Sequence, residues 1–222
     1  MKKIAIVISS LLLSSQLYAA EWAMGVTGAY SMINGDGKEV EGGETNTGSA
    51  SNDVMIGSIF IDAIVSDKFT LGLDYIPFKA DVSNKTKSRT DTETSVTGTD
   101  TTTATSRSQK AQAELSNHIT LYGEYGEKAY VKFGVAQVDV KTKESLATGS
   151  VYGDDTIYGG LIGLGIKGTA DNGVYYKVEG TYTDYENVSF TSSVARTGVT
   201  TNNKVDADLD VTALKISIGK KF

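Results

Sequence analysis

The sequence predicts an all-β protein, an eight-stranded antiparallel up-and-down transmembrane β-barrel. Three observations predict it. Apolar and polar residues alternate in eight segments, short and long connections between these segments alternate along the chain, and the first residues are typical of an exported protein. Alternation with a period of two indicates a β-strand with one apolar and one polar face. Strands that cross a membrane must close into a barrel, because lipid offers no partner for an unpaired backbone group.

The N-terminal residues 1–20 predict a signal peptide. Lys2 and Lys3 form a basic start, Ile4 to Leu13 is an apolar run, and small residues follow up to Ala20. This is the layout of a secretory signal with cleavage after Ala19 or Ala20. The apolar run is shorter than the ~20 residues that a spanning helix needs. We therefore expect residues 21–222 to form an exported barrel domain.

The composition excludes several classes of function. The chain has a formal net charge of −6 and no cysteine. An acidic chain is a poor candidate for binding nucleic acid, and without cysteine neither disulfides nor thiolate metal sites are available. No cofactor or metal motif is found, so no cofactor is predicted. A soluble β-sandwich is the alternative fold that the length leaves open.

The eight predicted strands cover the whole exported region. They span about Trp22–Met32, Val54–Val65, Phe69–Phe78, Ala111–Gly123, Ala129–Asp139, Ile157–Lys167, Val174–Tyr185 and Leu214–Phe222. The second is apolar on both faces, so its register stays open.

The connections between these strands sort by length. Short ones follow the second, fourth and sixth strands, at residues 66–68, 124–128 and 168–173. Long polar ones follow the first, third, fifth and seventh strands, at residues 33–53, 80–110, 140–156 and 186–207. Outer-membrane barrels place short turns at one end and long loops at the other, whereas a soluble sandwich has no reason to do so. The even strand number puts both termini at the short-turn, periplasmic end.

The last strand places Leu214, Ile216, Ile218 and Phe222 on one face. This ending resembles the C-terminal signature of bacterial outer-membrane β-barrels, in which a final Phe is an assembly signal; Lys220 departs from it, since an apolar residue is usual there. The whole pattern resembles the small OmpA/OmpX-type barrels, without a peptidoglycan-binding domain. The resemblance implies a monomer in the outer membrane of a Gram-negative bacterium. Its partners would be outer-membrane lipid, the barrel assembly machinery and periplasmic chaperones.

Charged residues on the polar faces are expected to point into the lumen. They are Asp74, Glu114, Lys132, Lys177, Glu179 and Lys215, joined by Asp62 in one register of the second strand. An eight-stranded interior is only wide enough to be filled by side chains. Acids and bases must pair there, because an unpaired buried charge is expensive. We predict a structural charge network, with a gated ion path as the alternative.

Ser116, His118 and Glu114 are the one arrangement that suggests hydrolysis, and they are expected to share the luminal face. Side chains two residues apart on a strand lie about 7 Å apart, too far for a Ser–His hydrogen bond. No catalytic residue is therefore predicted.

The predicted protein is a non-enzymatic structural or surface component of the envelope. Its extracellular loops, including the Thr-rich stretch at residues 90–103, would be available for adhesion or recognition. A narrow pore is the alternative and a lipid-directed hydrolase a more distant one.

Overall fold

The structure is a computed structural model that describes residues 20–41, 44–83, 87–93, 96–97, 100–101, 105–145, 151–193 and 202–222. The strands are β1 Glu21–Glu41, β2 Glu44–Ser66, β3 Phe69–Ile76, β4 Ala80–Asp81, β5 Lys87–Glu93, β6 Val96–Thr97, β7 Asp100–Thr101, β8 Thr105–Tyr125, β9 Ala129–Ser145, β10 Asp154–Thr169, β11 Val174–Tyr185, β12 Val188–Thr191 and β13 Lys204–Lys221. Within the described ranges, no helix has the length and apolar character to span a membrane. Residues 1–19 lie outside those ranges, so the signal peptide stays a prediction.

Eight of these strands form a closed ring, which confirms the predicted fold class. β1, β2, β3, β8, β9, β10, β11 and β13 follow one another in chain order, each antiparallel to its neighbours. The ring closes where Ala23–Val40 of β1 pairs with Lys204–Lys221 of β13. The short strands β4 and β5 extend along β8, β12 extends along β13, and β6 pairs with β7.

The short connections lie at one end of the barrel, as predicted. They are residues 67–68, 126–128 and 170–173. The first residues of β1 and the last residues of β13 lie at the same end. Gly126 and Gly173 have φ angles of 138° and 78°, a backbone conformation that favours glycine in a tight turn. We call this end the lower end and the opposite one the upper end.

The strands are longer than a membrane requires. β1 and β2 have 21 and 23 residues, whereas about 9–11 tilted residues cross the hydrocarbon core. The predicted long connection at residues 33–53 is therefore mostly strand, and only residues 42–43 separate β1 from β2. The β1–β2 pairing continues above the apolar belt because the backbone N–H and C=O groups of these polar residues form hydrogen bonds with each other there too.

An apolar belt surrounds the lower part of the ring. Outward side chains there are exposed although they are large and apolar, for example Ile162 at 65 % and Leu164 at 67 %. The others include Val26, Ile59, Leu73, Phe133, Val135, Val178, Leu214, Ile216 and Ile218. A belt of this kind is the lipid-facing surface of a membrane barrel.

The last strand joins the belt at its lower rim. The Phe222 amide donates a hydrogen bond of 2.7 Å to the carbonyl of Trp22, and the Phe222 side chain is exposed. The Lys220 ammonium donates to the carbonyl of Asn172 in the β10–β11 turn. This contact gives Lys220, which departs from the C-terminal signature, a polar partner at the lower rim of the belt. The assembly role of Phe222 stays a prediction.

Candidate functional site

The lower half of the lumen holds a cluster of buried charges. Its members are the acids Asp62, Glu124 and Glu179 and the lysines Lys132, Lys167 and Lys177, here called the charge cluster. Three negative and three positive charges balance, so the cluster is formally neutral. Neutrality is what a narrow interior requires, because each unpaired charge would carry its full desolvation cost.

Lys177 lies at the centre of this cluster. Its ammonium donates to Asp62 Oδ2 at 2.9 Å, to Glu124 Oε1 at 3.2 Å and to the Tyr122 hydroxyl at 3.2 Å. The Tyr122 hydroxyl in turn donates to Asp62 Oδ1 at 2.6 Å. Lys177 also lies 4.5 Å from the centre of the Phe60 ring, a cation–π contact. All donors of this lysine are thus directed at protein groups.

A second set of ion pairs completes the cluster. The Lys132 ammonium lies 2.7 Å from both carboxylate oxygens of Glu179, and the Tyr130 hydroxyl donates to Glu179 Oε2 at 2.6 Å. Lys167 donates to Glu124 Oε2 at 3.0 Å. Paired charges and phenol rings fill the lower lumen as an eight-stranded barrel allows, so this half is closed.

Six of the seven residues that were predicted to be luminal point inward, and they form two groups in the structure. Lys132, Lys177 and Glu179 meet in the charge cluster, and Asp62 takes the luminal register that the sequence left open. Asp74 and Lys215 are buried above the cluster, where Asp74 accepts a hydrogen bond of 2.7 Å from Ser58.

Glu124 and Lys167 belong to the cluster but were not predicted. Each continues the period-two alternation of its strand beyond the last residue that the sequence analysis counted as luminal. On β8, Glu124 follows the inward Thr120 and Tyr122, inside the span assigned to a turn. Extending the alternation by one inward residue, into the predicted turn for Glu124 and to the end of the predicted strand for Lys167, finds both residues.

Glu114 is not luminal, contrary to the prediction. The β8–β9 register shifts between Ser116 and Ile119, and Asn117 takes a positive φ of 50° there. A β-bulge of this kind inserts a residue and exchanges the two faces of the strand. Above the bulge Leu115 points inward, while Glu114 lies on the outer face and pairs with Lys79 and Lys143. These two lysines lower the pKa of Glu114 to about 2.

The same bulge separates Ser116 from His118. Ser116 pairs with the outward Asp139, whereas the His118 Nε2 lies 2.7 Å from the inward Tyr185 hydroxyl. The two residues do not share a face, so the expected Ser–His–Glu arrangement does not form. The structure offers no support for hydrolysis by these residues.

The upper half of the barrel contains an apolar chamber. Its volume is about 560 Å³, and the described side chains that line it include Leu115, Val140, Ile157, Val188, Phe190 and Leu209. These residues form the main apolar cluster of the protein, together with Ile33, Ala136, Val138 and Tyr185. The lining also reaches Gly37 and Gly48 near the upper ends of β1 and β2. The chamber therefore lies between the upper end and the lower lumen.

One side of the chamber wall is incomplete among the described strands. The β2–β3 ladder ends at the pair Ile59–Tyr75, because β3 stops before Pro77, which has no amide hydrogen to donate. The next segment, β4, pairs with β8 and not with β2. A second cavity of about 580 Å³, here called the side gap, opens between β2 and Phe78–Ser83 and shares Ser83 and Gln112 with the chamber lining.

Comparison with known proteins supports the fold. No model of a protein family matches the chain, and no curated protein sequence matches it significantly. The outer membrane protein OprG from Pseudomonas aeruginosa is similar in structure, with 16% identity, coverage of 91% of this chain and 96% of that chain, and a TM-score of 0.57. The outer membrane protease OmpT from Escherichia coli gives 10% identity, coverage of 91% and 97%, and a TM-score of 0.48. The chain shares the fold of the outer-membrane protein OprG.

Proposed function

We propose that this protein is a non-enzymatic outer-membrane barrel that binds small apolar molecules in its upper chamber and passes them sideways toward lipid. The observation that carries the proposal is the apolar chamber of about 560 Å³ directly above a lumen closed by paired charges. Ligand sites in proteins are cavities of about 300–1,000 Å³ with a mainly apolar lining. The chamber meets both criteria, whereas the lower lumen meets neither.

The driving force for binding is the removal of apolar surface from water. Each methylene group that leaves water for an apolar wall contributes about 0.8 kcal/mol. A short hydrocarbon can therefore bind without any specific polar contact. Phe190 and Leu209 supply such walls from two neighbouring segments, and both are buried.

The side gap supplies the route out of the chamber. Downward passage would require the ion pairs of Lys177 and Lys132 to break in a poorly hydrated space, which is costly. Sideways passage crosses a wall in which β2 has no described ladder partner above Ile59. The exposed side chains of Met55 and Phe78 lie along this gap, on the side of the lipid belt.

Other parts of the sequence interpretation stay predictions. These are export through a signal peptide, membership of the OmpA/OmpX type, the monomeric state, and assembly through barrel machinery and chaperones. Adhesion or recognition by the extracellular loops also stays a prediction. The Thr-rich stretch at residues 90–103 that would carry it lies partly outside the described ranges, at residues 94–95, 98–99 and 102–103.

Saturable photolabelling tests the proposal. The purified barrel in lipid nanodiscs is labelled with a short alkyl diazirine, with and without an excess of unlabelled hexane, and the adducts are mapped by mass spectrometry. Labelling of Phe190, Leu209 or Leu115 that hexane displaces is the expected result. Labelling of lipid-facing residues such as Ile216 should not saturate. If hexane displaces no inward adduct, the proposal is wrong.

A matched pair of variants controls for unfolding. Leu209→Asn places an amide in the chamber wall and should abolish the displaceable labelling. Asp210→Asn makes the neighbouring change on the outer surface of β13, outside the chamber lining, and should leave labelling unchanged. Heat-modifiable migration on a gel verifies that both variants are folded.

A further inference from the structure

A tyrosine side chain reaches across the upper entrance of the chamber. The Tyr152 hydroxyl donates a hydrogen bond of 2.9 Å to Glu39 Oε1. Both residues line the chamber, and Glu39 lies two residues before the upper end of β1 at Glu41. The Tyr152 ring is partly buried and packs against the main apolar cluster. Tyr152 thus connects the apolar lining of the chamber to a carboxylate at its rim.

The two partners of this hydrogen bond are not neighbours in the barrel wall. The segment 151–153 contacts the chain just beyond β12, where the Ser193 amide donates to the carbonyl of Val151 at 2.8 Å. β12 pairs with β13, and β13 pairs with β1. Three steps of about 4.8 Å therefore separate Tyr152 from Glu39 along the wall. Residues so far apart in a curved wall meet only across the lumen, so the hydrogen bond spans the opening.

The register of the strands gives the height of Tyr152 in the chamber. Phe190, Val205 and Glu39 form one row of partners across β12, β13 and β1. Leu209 lies four residues farther down β13, about 13 Å along the strand, and it lines the same chamber. A molecule that comes from the upper end therefore passes the Tyr152–Glu39 hydrogen bond before it reaches Leu209.

The backbone on both sides of Tyr152 is held in place. The Val151 amide donates to the Ser193 hydroxyl at 3.1 Å, and the Thr142 hydroxyl donates to the carbonyl of Gly153 at 2.7 Å. Rotation of the Tyr152 side chain, without movement of its backbone, is thus the smallest change that widens the entrance. Such a rotation breaks the hydrogen bond to Glu39 and is reversible.

We propose that Tyr152 is a specificity-determining residue and that its hydrogen bond to Glu39 makes the upper entrance a size filter. While this bond is formed, the ring divides the opening, so narrow molecules pass and wide molecules enter only when the ring rotates. The inference rests on the proposed function and deepens it, because it names the preferred ligands. They are unbranched apolar chains, in preference to cyclic molecules of similar hydrophobicity.

Thiol modification inside the chamber tests the filter without an apolar ligand. Leu209→Cys is the reporter, since the chain has no cysteine of its own. Two methanethiosulfonates that each carry one sulfonate are compared in nanodiscs, one with an unbranched hexyl chain and one with a cyclohexyl ring. Each rate is divided by the rate with the unfolded protein. The cyclohexyl reagent is expected to react at least about ten-fold more slowly, because it must wait for a hydrogen bond to a charged group to break. Equal corrected rates would overturn the inference.

Variants of the two partners identify the filter. Tyr152→Ala removes the ring and should make the two corrected rates nearly equal. Tyr152→Phe keeps the ring without its hydroxyl, and Glu39→Ala removes the acceptor, so each should reduce the difference several-fold. Glu39→Gln keeps a carbonyl oxygen that accepts the hydrogen bond and should retain the difference. Tyr158→Phe alters an outward tyrosine of β10 and is the control.

The double variant Tyr152→Phe with Glu39→Ala should behave like either single variant, because both changes remove the same hydrogen bond. Heat-modifiable migration verifies that each variant is folded. A size difference that survives Tyr152→Ala would overturn the inference. The photolabelling assay separates this result from the proposed function. Displacement of the label by hexane in a protein without a size difference overturns the filter alone, whereas a size difference without displaceable label supports the filter and overturns the proposed function.

Discussion

The lower and upper halves of the same strands enclose opposite interiors. The inward face of β13 changes from Leu209 and Val211 at the top to Lys215 and Ser217 below. In the charge cluster every charge has a partner at a fixed distance, as with Lys177 and Asp62 at 2.9 Å. In the upper half the contacts are apolar and have no required direction. One barrel can therefore be closed and rigid in one half and able to accept variable ligands in the other.

The comparison predicts the largest effect for removal of the central cation of the charge cluster. Lys177→Met leaves Asp62 and Glu124 with uncompensated buried charge, so it should reduce the free energy of unfolding by about 3–5 kcal/mol. Lys141→Met, which removes an exposed partner of Asp154, should cost less than about 1 kcal/mol. Urea unfolding in lipid vesicles measures both. Equal effects of the two variants would contradict the central role of Lys177.

A second prediction concerns packing in the lower half. A Cβ atom at Gly72 would lie 2.3 Å from the Tyr122 ring and 2.4 Å from Asp62 Oδ1. Gly72→Ala should therefore displace the Tyr122–Asp62 hydrogen bond and destabilise the barrel by about 1–3 kcal/mol. Gly180→Ala, where a Cβ meets nothing within 4 Å, is the matched control and should be nearly neutral. The same unfolding experiment compares them, and a neutral Gly72→Ala would show that the cluster is loosely packed.

The sequence predicted the lower half better than the upper half, and the reason is physical. Alternation gives the strand faces directly, and Asp74, Lys132, Lys177, Glu179 and Lys215, which it predicts to be inward, are buried in the structure. Glu114 was assigned to the wrong face because the bulge at Asn117 exchanges the faces of β8. No glycine marks this bulge in the sequence, although Asn117 takes a positive φ. The upper strands were read as loops, since their outward faces above the lipid are polar. The chamber is lined in part from that misread region, for example by Val140 and Phe190.

A third prediction concerns the side gap. The Asn52 amide donates to the carbonyl of Asp81 across it at 2.7 Å, so cysteines at these positions lie close to each other. Because the chain has no cysteine, Asn52→Cys with Asp81→Cys gives a single defined disulfide. Oxidation should lower the uptake of an apolar fluorophore by cells that carry the protein to the level of cells without it, and reduction should restore uptake.

The control for the side gap is a disulfide in an intact part of the wall. Asn34→Cys with Asp210→Cys joins direct register partners of β1 and β13 on the outer surface. This pair should not affect uptake when it is oxidised. Equal inhibition by the two disulfides would mean that general flexibility, and not the side gap, governs uptake.

The smallest expected effect is a pH dependence above the membrane. Hydrogen bonds from Lys143 and Lys79 lower the pKa of Glu114 from an ordinary 4.5 to about 2. The contribution of this carboxylate to stability is therefore present above pH 4.5 and is lost as the pH falls toward 2. Glu114→Gln should remove this part of the acid sensitivity, whereas Glu127→Gln in a lower turn should not. Acid unfolding curves of the three proteins provide the measurement, and identical curves would contradict the assignment.

The boundary between the two halves can be measured directly along β13. Single cysteines at Leu209, Ala213 and Ser217 are exposed to a small polar thiol reagent in nanodiscs, and each modification rate is compared with that of the unfolded protein. We predict fast reaction of Leu209→Cys that hexane slows, and no reaction of Ser217→Cys, which lies beside the charge cluster. Fast modification of Ser217→Cys would show that the lower lumen conducts water and would contradict the closed lower half.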